Sequence, residues 1–181
     1  IKCEPTIKKK KKMAGLTDDF ETCLSAVMKS IFPGKQLDFL SKEQIEAIRS
    51  FFLGNDTFVS LPTGHGKSLI FQLAVPLAKK IFELGKHGTT EYPRKVPSHP
   101  IILVIAPLNS LISDQIDSCK EKQMSACKLD DLSEGDNCEV VDVDFIFTSP
   151  EKLQHNLNFL SRVEDQLLGI VVDESHCVIN W

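Results

Sequence analysis

Residues 61–68 read LPTGHGKS, and this stretch decides the fold. It stands between a short apolar segment and a run of helical periodicity, which begins at about Lys67. The pattern GxxxxGK[ST] between a strand and a helix is typical of a phosphate-binding loop. Gly66, Lys67 and Ser68 match the pattern, whereas Leu61 stands where it has its first glycine.

The chemistry of such a loop survives the leucine, because successive backbone N–H groups and a helix N-terminus still surround the phosphates. We expect Lys67 to reach the outer phosphates of a nucleoside triphosphate and the Ser68 hydroxyl to ligate Mg²⁺. The alternative is a glycine-rich turn with an incidental lysine. The residues predicted to bind the nucleotide here are Pro62, Thr63, Gly64, His65, Gly66, Lys67 and Ser68.

Outward from the loop, short apolar runs alternate with helical segments. The predicted strands are Thr57–Leu61, Ile101–Ala106, Asp144–Thr148 and Leu167–Val172. The predicted helices are Phe20–Phe32, Ser41–Leu53, one from about Lys67, Leu108–Lys122 and Glu151–Val163. Ser41 can cap the second of these, with Gln44 three residues on as in a capping box. Apolar strands alternating with helices predict an α/β fold, a parallel sheet with helices on both faces. Ligands of such sheets bind beyond the carboxyl ends of the strands.

A second motif, DESH, follows the last predicted strand at residues 173–176. An acid at a strand end is placed to hold Mg²⁺, and the next carboxylate can orient or deprotonate the attacking water. We assign Asp173 to the metal and Glu174 to the water; the alternative is two solvated acids. His176 directly follows Ser175, and we expect it to couple the site to its surroundings rather than to be purely structural.

The composition limits the possible functions. With 181 residues, 42% of them apolar, the chain suits one globular domain, and no apolar run approaches the ~18 residues of a membrane helix. The net charge of −4 argues against an extended basic surface, so a nucleic-acid site must be local. The six cysteines show no CxxC or zinc-ligand spacing, which predicts free thiols in a reducing compartment and no zinc.

The first residues carry the only dense basic run, Lys8–Lys12. It can be a nuclear signal, a phosphate-binding arm or a solvated tail. Because Met13 and Ala14 resemble a start site, residues 1–12 can also be non-native upstream sequence. We treat residues 1–15 as a disordered basic tail and 16–36 as an N-terminal helical segment.

Together these strings resemble the RecQ family of superfamily 2 DNA helicases. LPTGHGKS resembles helicase motif I, and DESH resembles motif II of the DEAH type. IAPLNSLISDQ, residues 105–115, is similar to the RecQ motif with SPL, SL and DQ and differs from the PTREL of DEAD-box RNA helicases. LSKEQIEAI, residues 40–48, resembles the nucleotide-recognition motif. TSPEK at 148–152 and HCVINW at 176–181 resemble two further segments of the family.

The resemblance implies that residues 37–181 form the first RecA-like motor domain, truncated after motif II. Its catalytic residues would be Lys67, Asp173, Glu174 and His176, and Gln44 would read the adenine, although Leu40 and Ser41 depart from the residues usual before it. The residues that would contact single-stranded or forked DNA are Pro107, Asn109, Ser110, Gln115, Ser149, Glu151, Lys152 and Trp181. Helix capping remains an alternative for Asn109 and Ser110, and a core or interface position for Trp181.

The resemblance also implies that the whole protein is an ATP-driven helicase moving 3′ to 5′ in the nucleus. A second motor domain would then supply an arginine to the ATP site. We expect this chain alone to bind ATP–Mg²⁺ weakly, to hydrolyse little and to unwind nothing. Two other hypotheses stay open: a superfamily 2 motor that acts on RNA, and a truncated nucleotide-binding remnant without activity.

Overall fold

The computed structural model describes residues 17–62, 64–89, 92–132 and 142–174. Within these ranges no helix combines the length and the apolar character that a membrane span requires. The helices are α1 (Thr17–Ile31), α2 (Lys42–Phe52), α3 (Lys67–Glu83), α4 (Asn109–Glu121), α5 (Pro150–His155) and α6 (Asn158–Val163). The strands are β1 (Ile101–Ile105), β2 (Ala126–Lys128), β3 (Phe145–Thr148) and β4 (Leu167–Val172).

The four strands form one parallel sheet in the order β2-β3-β1-β4. β1 and β3 lie at its centre, where Leu103 is level with Ile146 on one side and Ile170 on the other. These central strands are almost wholly buried, as their apolar composition predicts. The predicted α/β fold with a parallel sheet is confirmed.

Helices cover both faces of the sheet, because neighbouring residues of a strand point to opposite sides. Ile102 and Val104 belong to the main core, together with the apolar faces of α1, α2, α3 and α4. Ile101 and Leu103 belong to a smaller core on the other face, which α6 closes with Phe159 and Val163. The sheet therefore sits between two helical layers, and its carboxyl ends are left for a site.

The segment Thr57–Leu61, predicted as a strand, is not one in the structure. The Thr57 hydroxyl bonds to Ser50 at the end of α2, and the Phe58 side chain is 82% exposed. The segment lies across a cavity of about 570 Å³ from β4, and both line its walls. Because the cavity separates them, the segment and β4 are too far apart to form a hydrogen-bonded ladder. β4 is consequently an edge strand in the described part of the chain, with Ile170 and Val172 exposed.

The predicted helix Glu151–Val163 is interrupted. Asn156 leaves the helical conformation at φ −125° and ψ 35°, and its side-chain amide donates to the Lys152 carbonyl at 2.9 Å. Asparagine offers the backbone such local bonds as an alternative to the helical ladder. Two short helices, α5 and α6, therefore replace the single predicted one.

β2 was not predicted. It has only three residues, none of them fully buried, so it carries no apolar run that sequence patterns can detect. Its position depends on Asp144, whose carboxylate accepts from the Ser125 N–H at 2.9 Å and pairs with Lys79 at 2.5 Å. β2 is thus an edge strand that a buried carboxylate helps to position, beside its pairing with β3 and the packing of Ala126 and Cys127 against the two cores.

The long loop between α3 and β1 is fastened at Arg94. Its guanidinium donates to the carbonyls of Phe51, at 2.7 Å, and Leu168, at 3.1 Å. It also lies 4.0 Å from the centre of the Phe51 ring, and burial lowers the pKa of the group. Arg94 therefore joins the loop to α2 and β4, and its neighbours Tyr92 and Val96 are buried in the main core.

Candidate active site

The loop before α3 has the backbone shape that phosphate binding needs. Gly66 is the N-cap of α3 in the left-handed conformation, at φ 70° and ψ 35°, and Gly64 is left-handed too, at φ 80°. Lys67 is the first residue of the helix, and the His65 N–H bonds to the Pro62 carbonyl at 3.2 Å. A helix N-terminus with free N–H groups and a lysine can take an anion. Thr63 lies outside the described residues.

Gln44 holds this loop from the side. Its amide nitrogen donates to the carbonyls of His65, at 3.1 Å, and Gly66, at 3.0 Å. Its amide oxygen accepts from the Ser41 N–H at 2.8 Å in the predicted capping box of α2. The side chain is buried, so α2 and the loop are joined by one residue. Donation from the Gln44 amide nitrogen to adenine would require it to release a loop carbonyl, whereas its amide oxygen keeps a second lone pair.

Alanine at Gly66 is expected to destabilise the protein more than alanine at Gly64. Both positions are left-handed, which costs an L-residue about 1–2 kcal/mol. At Gly66 a Cβ would also lie 2.6 Å from the Gln44 amide nitrogen, whereas at Gly64 nothing lies within 4 Å. Urea denaturation should place the free energy of unfolding of Gly66→Ala below that of Gly64→Ala by about 1 kcal/mol, because the Gln44 amide must shift and weaken its bonds to His65 and Gly66.

The control for this comparison is the double variant Gly66→Ala with Gln44→Ala. Removing the Gln44 side chain relieves the clash, so its additional cost should be smaller in the Gly66→Ala background than in the wild type. Equal costs for alanine at Gly64 and at Gly66 would contradict the close packing of Gln44 against the loop.

The two acids follow β4 directly. The Asp173 N–H continues the ladder to the Ile105 carbonyl at 2.9 Å, so Asp173 sits at the carboxyl end of the sheet. The next residue, Glu174, has a left-handed φ of 50°, and its N–H donates to the Asp173 carboxylate at 2.9 Å. The cavity beside β4 is lined by Lys67, Asp173 and Glu174, which joins the two predicted halves of the site. His176 lies outside the described residues.

The oxygen donors suit Mg²⁺. Mg²⁺ prefers carboxylate and other oxygen ligands, keeps several waters and is bound by one or two protein groups beside substrate phosphates. Ser68 and Asp173 supply a hydroxyl and a carboxylate of that kind. When bound, the ion would neutralise charge on the phosphates. In the described ranges no cluster of three His, Cys, Asp or Glu residues could hold a metal by itself.

The start of α4 presents small polar side chains at the carboxyl end of β1. The N-cap is Leu108, which has no capping side chain, so the capping interpretation of Asn109 and Ser110 does not hold. Both are exposed, and Pro107 before them is partly buried. An exposed helix start with small polar groups can contact a phosphate backbone.

The start of α5 lies at the end of the neighbouring strand β3. Ser149 caps it by accepting from the Lys152 N–H at 3.4 Å. Backbone and Ser149 hydrogen bonds lower the pKa of the exposed Glu151 carboxyl. The Lys152 ammonium pairs with Asp130, and Trp181 lies outside the described residues. Ser149 and Lys152 thus have protein partners, while Glu151 faces solvent.

Gln115, which the family resemblance places among the DNA contacts, has a partner inside the protein. Its amide nitrogen donates to the Ser68 hydroxyl at 2.7 Å, so it faces the nucleotide loop. Gln72, which sequence reasoning missed, stands beside it at 3.3 Å. The one available signal was a polar residue four positions after Ser68, inside the apolar run of α3.

The described cysteines are free thiols, and we assign none of them a role in this site. Cys23, Cys119 and Cys127 are free, as the spacing of the cysteines predicts. Burial raises the pKa of the Cys119 thiol and of the Cys127 thiol to about 11. A thiol is reactive as its thiolate, so these two are poor nucleophiles near neutral pH.

A phosphate-binding loop and a strand-end acid pair on one cavity of a parallel α/β sheet define a P-loop nucleotide-binding domain. Residues 41–181 match the family model described as DEAD/DEAH box helicase. The chain therefore belongs to the DEAD/DEAH box helicase family, and its similar relatives identify it as RecQ-like.

These relatives are helicases of yeast, mouse and a cyanobacterium. The chain is 32% identical to ATP-dependent helicase SGS1 of Saccharomyces cerevisiae over 76% of its own length and 9% of the relative's. It is 31% identical to ATP-dependent DNA helicase Q1 of Mus musculus, over 93% and 27%. It is 30% identical to ATP-dependent DNA helicase RecQ of Synechocystis, over 80% and 28%. The chain thus spans at most about a quarter of these proteins.

Proposed function

We propose that the chain binds ATP with Mg²⁺ and forms part of the motor of a RecQ-type, ATP-dependent DNA helicase. One observation carries the proposal: Lys67, Asp173 and Glu174 line a single cavity at the carboxyl ends of a parallel sheet. The names of its relatives and the family to which it belongs support the same conclusion.

Each residue of the site has a defined task in this proposal. Lys67 and the N-terminus of α3 hold the outer phosphates, and Ser68 and Asp173 hold Mg²⁺. Glu174 orients the attacking water, and His176 couples hydrolysis to the rest of the motor. Gln44 reads the adenine. The loop residues from Pro62 to Gly66 surround the phosphates.

DNA would lie across the carboxyl edge of the sheet. The exposed Asn109 and Ser110 of α4 and the α5 start at Ser149 supply phosphate contacts there, and Trp181 stacks on a base or couples DNA binding to hydrolysis. In the whole protein a second motor domain supplies an arginine to the ATP site. Translocation runs 3′ to 5′, and the protein acts in the nucleus. Alone, the chain hydrolyses little ATP and does not unwind DNA.

The proposal differs from its nearest alternative, a motor that acts on RNA, in the nucleic acid that the chain binds. We expect the chain to bind a labelled single-stranded DNA more tightly than the RNA of the same sequence, as measured by fluorescence anisotropy. Asn109→Ala and Ser110→Ala should each weaken DNA binding about 3- to 10-fold, the value of one hydrogen bond. The matched control Ser161→Ala, at an exposed position of α6, should bind as the wild type does.

Tighter RNA binding would favour a motor that acts on RNA. Absence of Mg²⁺-dependent ATP binding would favour a nucleotide-binding remnant. For the whole protein, forks with a single 3′ or a single 5′ tail test the direction, and unwinding from the 5′ tail would contradict it.

A further inference from the structure

The hydroxyl of Ser68 is held by a residue from another helix. The Gln115 amide nitrogen donates to the Ser68 oxygen at 2.7 Å, and the two residues are 47 positions apart. Ser68 is in the first turn of α3, and Gln115 is in the middle of α4. Both residues are partly buried, so solvent competes less for the bond than it would at an exposed position.

Gln72 fixes the orientation of the Gln115 amide. The Gln72 side chain is buried in α3, and its amide nitrogen lies 3.3 Å from the Gln115 oxygen. It also lies 3.5 Å from the Ser118 hydroxyl and 3.7 Å from the Cys119 sulfur, both on α4. Because Gln72 donates to the oxygen of Gln115, the nitrogen of Gln115 is directed at Ser68. A buried amide without such partners would cost folding free energy.

The bond leaves the Ser68 hydroxyl suited to a metal. A hydroxyl has one hydrogen and two lone pairs, and Gln115 occupies one lone pair. The second lone pair and the hydrogen stay available in a fixed direction. Ligands that are oriented before binding lose less freedom when the ion arrives.

We propose that Gln115 is a positioning residue, which orients Ser68 as an oxygen ligand of the Mg²⁺ that accompanies ATP, and that Gln72 orients Gln115. This inference rests on the proposed function of the site. It gives Gln115, which the family resemblance places among the DNA contacts, a role in connecting α4 to the phosphate loop.

The connection has a consequence for coupling. α4 begins with the exposed Asn109 and Ser110, and Gln115 lies on the same helix. A shift of α4 caused by a ligand at its start changes the distance between Gln115 and Ser68. DNA binding and Mg²⁺ binding would then be linked, and the linkage acts equally in both directions.

The test separates positioning from simple packing of α3 against α4. Gln115→Met keeps the size of the side chain and removes both hydrogen bonds. Binding of a fluorescent ATP analogue is measured with Mg²⁺ and with a chelator. The variant should match the wild type without Mg²⁺ and lose about 3- to 10-fold of the Mg²⁺-dependent gain in affinity, as expected for one hydrogen bond. The matched control Gln154→Met, at an exposed position of α5, should keep the full gain.

A double-mutant cycle completes the test. In a Ser68→Ala background, Gln115→Met should remove no further Mg²⁺-dependent affinity, since its target is absent. If Gln115→Met fails to fold by circular dichroism, Gln72→Met serves in its place, with the same direction of effect. A full gain retained in the folded variant would overturn this inference alone. A wild type without any Mg²⁺-dependent gain would instead remove the proposed function, and this inference with it.

Discussion

Lys67→Ala is expected to weaken Mg²⁺–ATP binding by about 10- to 100-fold. Bonds between a charged donor and phosphate oxygens are worth about 1.5–3 kcal/mol, and 1.4 kcal/mol is a factor of ten in affinity. Lys67 is the first residue of α3 and lines the cavity that also contains Asp173 and Glu174. Isothermal titration with ATP, in the presence of Mg²⁺, measures the loss.

The free energy of unfolding of Lys67→Ala, measured without ATP, should be equal to or higher than that of the wild type. A cation in the first turn of a helix lies at the positive end of the helix dipole, which costs about 0.3–1 kcal/mol without a bound anion. Lys67 is therefore retained at a structural disadvantage, which points to a ligand. The exposed Lys95→Ala is the matched control and should alter neither quantity. Unchanged ATP binding by Lys67→Ala would exclude the loop as the phosphate site.

Phe145→Ala is expected to lower the free energy of unfolding by about 3–5 kcal/mol, the range for large aromatic truncations in a core. Phe145 is fully buried at the start of β3, and its ring packs edge-on against Phe71 of α3, with 6.2 Å between the ring centres. Domains are commonly stable by only about 5–15 kcal/mol, so this one change removes much of the margin. Urea denaturation followed by circular dichroism measures it.

Phe58→Ala provides the matched control, because the same atoms are removed from a side chain that is 82% exposed. Its cost should lie within about 0.5 kcal/mol. A cost as large as that of Phe145→Ala would mean that the segment around Phe58 is packed in solution, contrary to its position in the structure.

The sequence predicted the helices, strands and loop that depend on residues close together in the chain. The capping box of α2 depends on Ser41 and Gln44, three residues apart, and it forms as predicted. The buried strands β1 and β3 follow from short apolar runs, and α1 buries Phe20, Leu24, Val27 and Met28 at helical spacing. The glycines around Lys67 likewise predicted the loop at the start of α3.

Two predictions of secondary structure were wrong, one through a cause elsewhere in the chain and one through a local cause. Thr57–Leu61 has strand-like composition, yet a strand needs a partner at ladder distance, and a cavity separates this segment from β4. The interruption at Asn156 has a local cause, the bond from its side-chain amide to the Lys152 carbonyl. In the sequence, however, Asn156 looks like any other polar residue on an exposed helix face.

The site shows the same division. The loop and the strand-end acids were recognised because each is a contiguous string. The bond from Gln115 to Ser68 exists only after α3 and α4 have packed, since 47 positions separate the two residues. Gln44 was assigned from family resemblance to the adenine, while its bonds to His65 and Gly66 required the docking of α2 on the loop.

Arg94 limits which changes in length the loop between α3 and β1 can tolerate during evolution. A long loop between a helix and a strand is ordinarily tolerant of added or deleted residues, because the entropy of loop closure grows slowly with length. Here the bonds from Arg94 to Phe51 and Leu168 divide the loop into two shorter segments that meet at a fixed point. Tyr92 and Val96, on either side of Arg94, are buried in the main core, so residues can be gained or lost only further away, as long as the remainder still reaches α2 and β4. A deletion that removes Arg94 itself would leave two carbonyls and the face of Phe51 without their partner.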